Sequence, residues 1–171
     1  MSTHETISQF GRMLSNLDHW IGMATDHAAA AGFDAEVFAS ARLAPDQFSF
    51  VQQVQSACDA AKYAAAYLTG QTAPSHPDTE KTLAELRARV AKCTAYLGTL
   101  SAADFNGAEE RRVAPPWMEG HSVRGDYYLS RLSVPNFYFH VTTAYDILRH
   151  NGVQLGKRDF IGVKSWTELP Q

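Results

Sequence analysis

Apolar residues recur along four stretches of the chain at alternating steps of three and four, a spacing that lines one face of an α-helix and does not suit a strand. In the first stretch the stripe is Ile7, Phe10, Leu14, Leu17, Ile21, Ala24 and Ala28. Ser2 with Glu5 three residues on predicts a capping box at its start, and Gly32 supplies the left-handed position that ends it. The second stripe is Phe50, Val54, Ala57, Ala61, Ala64 and Leu68, stopped at Gly70. Ala44-Pro45-Asp46 predicts its opening, because proline presets a first-turn φ and a carboxylate suits the positive end of a helix. Its alanines predict close approach of a neighbouring helix. A third stripe, Leu83, Leu86, Val90, Cys93 and Leu97, follows Ser75-His76-Pro77-Asp78, read as its capping box. The fourth carries Val134, Phe137, Val141, Ala144 and Leu148, with Pro135 in its first turn and Asn151-Gly152 as its stop.

Amphipathic helices bury their stripes only against one another, so the expected fold class is all-α, a four-helix bundle. At 171 residues the chain has the length of one domain, 1–171, large enough to form a core without disulfide or metal staples. Between residues 98 and 133 the helical period disappears and Pro115-Pro116, Gly120 and Gly125 punctuate the sequence. Neighbouring bundle helices usually need only about 2 to 8 linking residues, so this long crossover between helices three and four is expected to cross the bundle or cover one end. Phe105, Trp117, Tyr127 and Tyr128 are expected to anchor it. The tail, 153–171, is expected to end in a mobile Glu168 to Gln171. Phe137-Tyr138-Phe139 surrounds the start of helix four with aromatics, which predicts a cover on more than one face: the crossover or, alternatively, a second subunit.

Composition narrows the function classes. With 15 Lys+Arg against 18 Asp+Glu the net charge is -3, which disfavours a nucleic-acid partner. No apolar run of about 18 residues exists to span a membrane, and the first residues lack the basic-then-apolar pattern of a leader. Cys58 and Cys93 lie within helical patterns and not in a C-x-x-C pair, so a reduced, cytoplasmic chain with both as small core residues is expected.

His140 is the most informative polar residue. It follows Phe137 by three and precedes Ala144 by four, at the edge of the inward stripe. Gln53 lies about 60° from the centre of helix two's stripe, which allows the two to meet, while Gln55 and Asp59 point away. Asn136, one turn before His140, lies farther toward the flank. One imidazole with two neutral amides is a poor donor set for zinc or nickel, which want three His, Cys or carboxylate ligands, so no metal is expected. The plainer reading is a core histidine and two amides bonded to their surroundings. His19 projects opposite helix one's stripe, His27 lies near its edge, and the remaining histidines fall at ends or in the crossover. Arg111-Arg112 beside Glu109-Glu110 reads as a solvated ionic patch.

The run from Asn136 to Val153, NFYFHVTTAYDILRHNGV, resembles the last bundle helix of the DinB/YfiT-like superfamily. There an H-x-x-x-H pair is followed at a fixed interval by Leu-Arg and a glycine-ended helix; His140 matches the second histidine, Leu148-Arg149 the dipeptide, and Asn136 stands in place of the first histidine. Arg42-Leu43-Ala44-Pro45-Asp46, Gln53-Val54-Gln55 and Gly156-Lys157-Arg158-Asp159-Phe160 are similar to an uncharacterised bacterial domain-of-unknown-function branch of that superfamily. The resemblance implies a bundle whose relatives include metal-dependent thiol transferases and a maleylpyruvate isomerase, often as homodimers. It aligns Gln53 with the superfamily's third histidine, so two of three imidazoles are replaced and any inherited metal chemistry would need ligands from elsewhere, with Glu119 and His121 as candidates.

Three readings result. The first is a metal-poor bundle binding a small polar molecule at Gln53, Asn136 and His140, with His140 the only acid or base near pH 7 and thus the catalytic candidate. The second is a non-catalytic homo-oligomer, a homodimer in the simplest case, in which these residues specify packing. The third is a metal-dependent transferase.

Overall fold

The structure is a computed structural model and describes residues 1–163. The expected terminal segment, Glu168 to Gln171, lies outside the described residues. The fold is all-α. Four long helices, α1 (Thr3–Ala31), α2 (Phe50–Thr69), α3 (Leu83–Gly98) and α5 (Val134–His150), pack their stripes into one apolar core. A one-turn α4 (Gly125–Tyr127) leads through a π-helical stretch, Tyr128–Ser133, into α5, and a short α6 (Lys157–Ile161) docks on α1. There Trp20 donates its indole N–H to the Asp159 carbonyl at 3.1 Å, and Asn16 donates to that of Phe160 at 3.0 Å.

Contact pairs fix the helix directions. Arg87 on α3 meets Asp18 on α1, and Gly11 faces Leu97, so α1 and α3 are antiparallel. His140 meets Gln53 and Tyr128 meets Tyr67, so α5 is antiparallel to α2. Phe10 stacks on Phe137 and Trp20 meets Tyr145 edge-on, so α1 and α5 run together. It follows that α2 and α3 also run in one direction, and residues 70–82 must travel back along the bundle between them. The distance is about 30 Å for twenty helical residues, within the roughly 40 Å reach of thirteen extended ones. This strap is the lengthwise crossing. The connection between α3 and α4 starts and finishes at one end of the bundle and covers it, burying Phe105, Ala108 and Val113 around a two-stranded antiparallel turn, β1 (Arg112–Val113) with β2 (Val123–Arg124). Gly125 admits this cover: a Cβ there would lie 1.9 Å from the Ala108 carbonyl oxygen.

Helix starts differ from expectation in three places. Ala44-Pro45-Asp46-Gln47 is a turn closed by Gln47 N–H to the Ala44 carbonyl, since proline suits the second position of a turn as well as a first helical turn. α2 starts at Phe50, where the Gln52 side chain accepts the Ser49 N–H at 2.9 Å. α3 is capped by Thr82 and Glu85 and not by Ser75, because Asp78 is taken by Arg89. The last helix continues backwards past Pro135 to Gly125, so the connection ends at Arg124. Proline lacks the N–H that would bond four residues back, and the wide π stretch ahead of it absorbs the mismatch.

Two further expectations are corrected. The cover over Phe137 and Tyr138 that is expected of the crossover or a second subunit is supplied within the chain by Phe10 of α1, while Phe139 stays 53% exposed. Arg111 is not part of a solvated patch: its Nε donates to the Leu68 carbonyl at 3.1 Å and caps the negative end of α2.

Candidate functional site

The outward face of α2 forms the floor of a groove of about 1150 Å³, with the strap on one side, α5 and its π stretch on the other, and Pro116-Trp117 at one end. The antiparallel register of α2 and α5 orders its contents. His140 and Phe48 sit at one end, Asn136 and Ser133 follow, and Arg131, Tyr128 and Trp117 sit at the other end near Tyr63 and Tyr67.

Gln53 and His140 meet as the spacing allows, with His140 Nδ1 2.8 Å from Gln53 Oε1. Gln53 is buried, and its amide nitrogen donates to the Phe48 carbonyl at 3.4 Å, which leaves Oε1 for the ring. Nδ1 therefore carries the hydrogen, and Nε2 is an acceptor with no protein partner among the described residues. Phe48 lies parallel to the imidazole at 6.5 Å and Phe139 meets it edge-on at 5.2 Å. Burial pushes the His140 pKa below its ordinary value and favours the neutral ring. Asn136 lines the groove one turn away, exposed, and makes no hydrogen bond to Gln53 or His140 among the described residues.

A second polar group stands at the strap. Arg89, 1% exposed, donates to Asp59 at 2.7 Å, to Asp78 and Glu80 at 3.2 Å each, and to the carbonyls of His76 and Pro77. Lys62, also buried, pairs with Asp59 at 2.8 Å, and Gln55 donates to Glu80 at 2.9 Å. Burial alone would raise the Glu80 pKa; the hydrogen bond from Gln55, its own backbone and the Arg89 charge together hold it below the ordinary value. Gln55 and Asp59 do point away from the core stripe, as expected, but into this network and the groove. Arg89 and Lys62 were missed by the sequence reading. Both sit at inward spacing, Arg89 three after Leu86 and four before Cys93, Lys62 four after Cys58, and a charged residue at such a place was the available signal.

The cysteines behave as core residues: both are buried, with Cys93 Sγ 3.3 Å from the Cys58 carbonyl. The hydrogen bond with Cys93, and then burial, push the Cys58 thiol well up, away from a nucleophilic thiolate. His27 packs on Phe33 and Phe38, and His4 on Phe105. Among the described residues no three His, Cys, Asp or Glu side chains gather closely enough to hold a metal ion, and neither Glu119 nor His121 lines the groove. The donor set at His140 is one imidazole nitrogen beside amides, which does not fit a tightly bound divalent metal.

Comparison with known proteins agrees with this architecture. The crystal structure of a DinB family member protein from Shewanella denitrificans superposes with a TM-score of 0.90 at 41% identity, covering 99% of this chain and 100% of that one. The chain belongs to the DinB family. Within it, residues 3–161 match the family described as "Domain of unknown function (DUF1993)". No curated protein matches. No described helix is long and apolar enough to cross a membrane.

Proposed function

We propose that this DinB-type bundle binds a small polar molecule in the α2 groove, without a tightly held metal, and that His140 Nε2 accepts a hydrogen from it. The observation that carries the reading is the oriented imidazole: Gln53 occupies Nδ1 and leaves the basic nitrogen of a neutral ring beside a groove large enough for a metabolite. Any proton transfer runs through that nitrogen, with Asn136 orienting the ligand through its amide. Screening small polar fragments by NMR against isotope-labelled protein tests this. Binders should shift the His140 ring signals, and His140→Ala should weaken them at least about tenfold, since a polar ligand group loses its partner, while the helical circular dichroism is kept. A screen in which nothing perturbs the groove at millimolar concentration sinks the reading. Zinc and nickel titrations of untagged protein should give no tight site; occupancy near one equivalent would replace this reading with the metal-dependent one.

A second reading, a homodimer, draws on the aromatics left in water near the groove: Phe48, Trp117 and Phe139 are each at least half exposed. Light scattering tests it, and a monomeric mass removes it. Residence in the cytoplasm is supported by two buried, unbridged cysteines, and the lack of a nucleic-acid partner by the net charge of -3.

A further inference from the structure

We infer that the groove selects a zwitterion: a ligand carrying a cationic nitrogen and an anionic group on one short frame with an apolar side. This rests on the small-molecule reading above and adds the ligand's chemical class. The first observation is a charge imbalance on one wall. Asp59, Asp78 and Glu80 bring three negative charges against two from Arg89 and Lys62. The cations spend themselves on one oxygen of each aspartate, leaving the second carboxylate oxygen of Asp59 and of Asp78 with no partner among the described residues. His76 adds no compensating charge near neutrality, because burial, then Lys62 and Arg89, lower its pKa.

The second observation is independent. Ser133, 4% exposed, lines the groove from the π stretch, and its hydroxyl has no hydrogen-bond partner among the described residues. Buried hydroxyls are ordinarily satisfied, so an unpaired one is a group left for something else to complete. The register of α2 against α5 places Ser133 level with Ala60 to Lys62, just past Asp59. The two unpaired carboxylate oxygens on the strap side suit an ammonium and repel an anion, and the Ser133 hydroxyl adds a further unpaired polar group in the lining of the same groove.

Two residues earlier on the π stretch, Arg131 lines the same groove, exposed and without an ion pair among the described residues. A cation alone would leave that guanidinium unanswered; an anion alone would leave the carboxylates so. Beside Arg131, Tyr67 stacks on Tyr63 and meets Tyr128 edge-on, and Trp117 closes the end, an apolar wall for the ligand's carbon frame.

The test uses three matched probes on the full chain at pH 7: phenylalanine (both charges), 2-phenylethylamine (cation only) and 3-phenylpropanoate (anion only), followed by calorimetry and by NMR of the groove residues. Phenylalanine should bind at least about tenfold tighter than either partner, the factor one charge-assisted contact supplies. Asp78→Asn should weaken phenylalanine and the amine but not the acid. Arg131→Gln should weaken phenylalanine and the acid but not the amine. Ser133→Ala should weaken phenylalanine without lowering the denaturation midpoint, because the hydroxyl it removes has no protein partner to lose. Equal binding of all three probes, or none at the groove up to millimolar concentration, overturns the inference. Fragments of other chemistry that still shift His140 would leave the small-molecule reading standing alone.

Discussion

Two faces of the bundle are built from the same kinds of side chain and do opposite things. Along the α1–α5 seam, Phe10 stacks on Phe137 at 4.1 Å, and Trp20 packs between Tyr145 and Phe160 at 5.5 Å from each. The polar atoms at its edge are matched, the Trp20 indole by the Asp159 carbonyl. Over α2, Phe48, Tyr63, Tyr67 and Trp117 line a wall without closing it, and between them stand carboxylates, a guanidinium and an open hydroxyl. A seam sealed by packing contributes stability; a face whose aromatics remain wet and whose charges do not balance leaves interaction for something else to complete.

The contrast is sharpest when one aromatic is removed from each side. Phe137→Ala should cost about 4 kcal/mol in urea denaturation, because a fully buried ring leaves a cavity that its stacked partner Phe10 fills only in part. Phe139→Ala, two residues on and half exposed, should stay within about 0.5 kcal/mol. Comparable losses at the two positions would show that the outer face also carries packing, as a dimer interface would.

The clasp on the strap comes next. Arg89→Ala should cost about 3 kcal/mol, since it leaves Asp59, Asp78 and Glu80 facing one another with only Lys62 between them. Arg89→Met keeps the stem and should lose somewhat less. Limited proteolysis within residues 70–82 should quicken in both variants while α1 stays intact. A loss below 1 kcal/mol, with the strap still protected, would mean that chain connectivity and not the ion cluster holds it down.

How far this was readable beforehand depends on the range of the interaction. Helix stripes, the Ser2–Glu5 cap and the glycine stops at residues 32 and 70 are set by neighbours a few positions apart, and they stand as read. The Gln53–His140 meeting followed from rotation about two helix axes, one step further. What was not legible turned on partners distant in sequence. Pro45 serves a turn or a helix start equally well until Phe50 is placed, and Asp78 is a cap residue until Arg89 arrives from another helix. Helix directions, and with them the strap's return along α2, depend on the assembled core, so the groove walled by that strap had no local signature. Asn136 shows the same limit from the other side: it shares the groove with His140 but not a hydrogen bond, because flank position sets direction and not reach.

The smallest expected effect distinguishes the two faces by acid. Burial lowers the His140 pKa, so an unfolded chain takes up a proton near pH 6.5 before the folded one does. Above about pH 7.5 both states are neutral at this residue and it has no effect on the pH dependence of stability. As the pH falls through the mid-sixes the unfolded state binds more protons, and stability drops until the folded ring also titrates. His76, lowered in the same direction, adds to the slope from the strap side. His140→Gln should therefore reduce, and not abolish, the loss of denaturation midpoint between pH 7.5 and 5.5. NMR titration of the His140 ring should place its pKa below that of an unstructured histidine. A wild-type ring titrating at or above 6.5, or a variant with an unchanged acid slope, would mean that the imidazole is as well solvated as any surface histidine, and the proposed binding role would lose its neutral base.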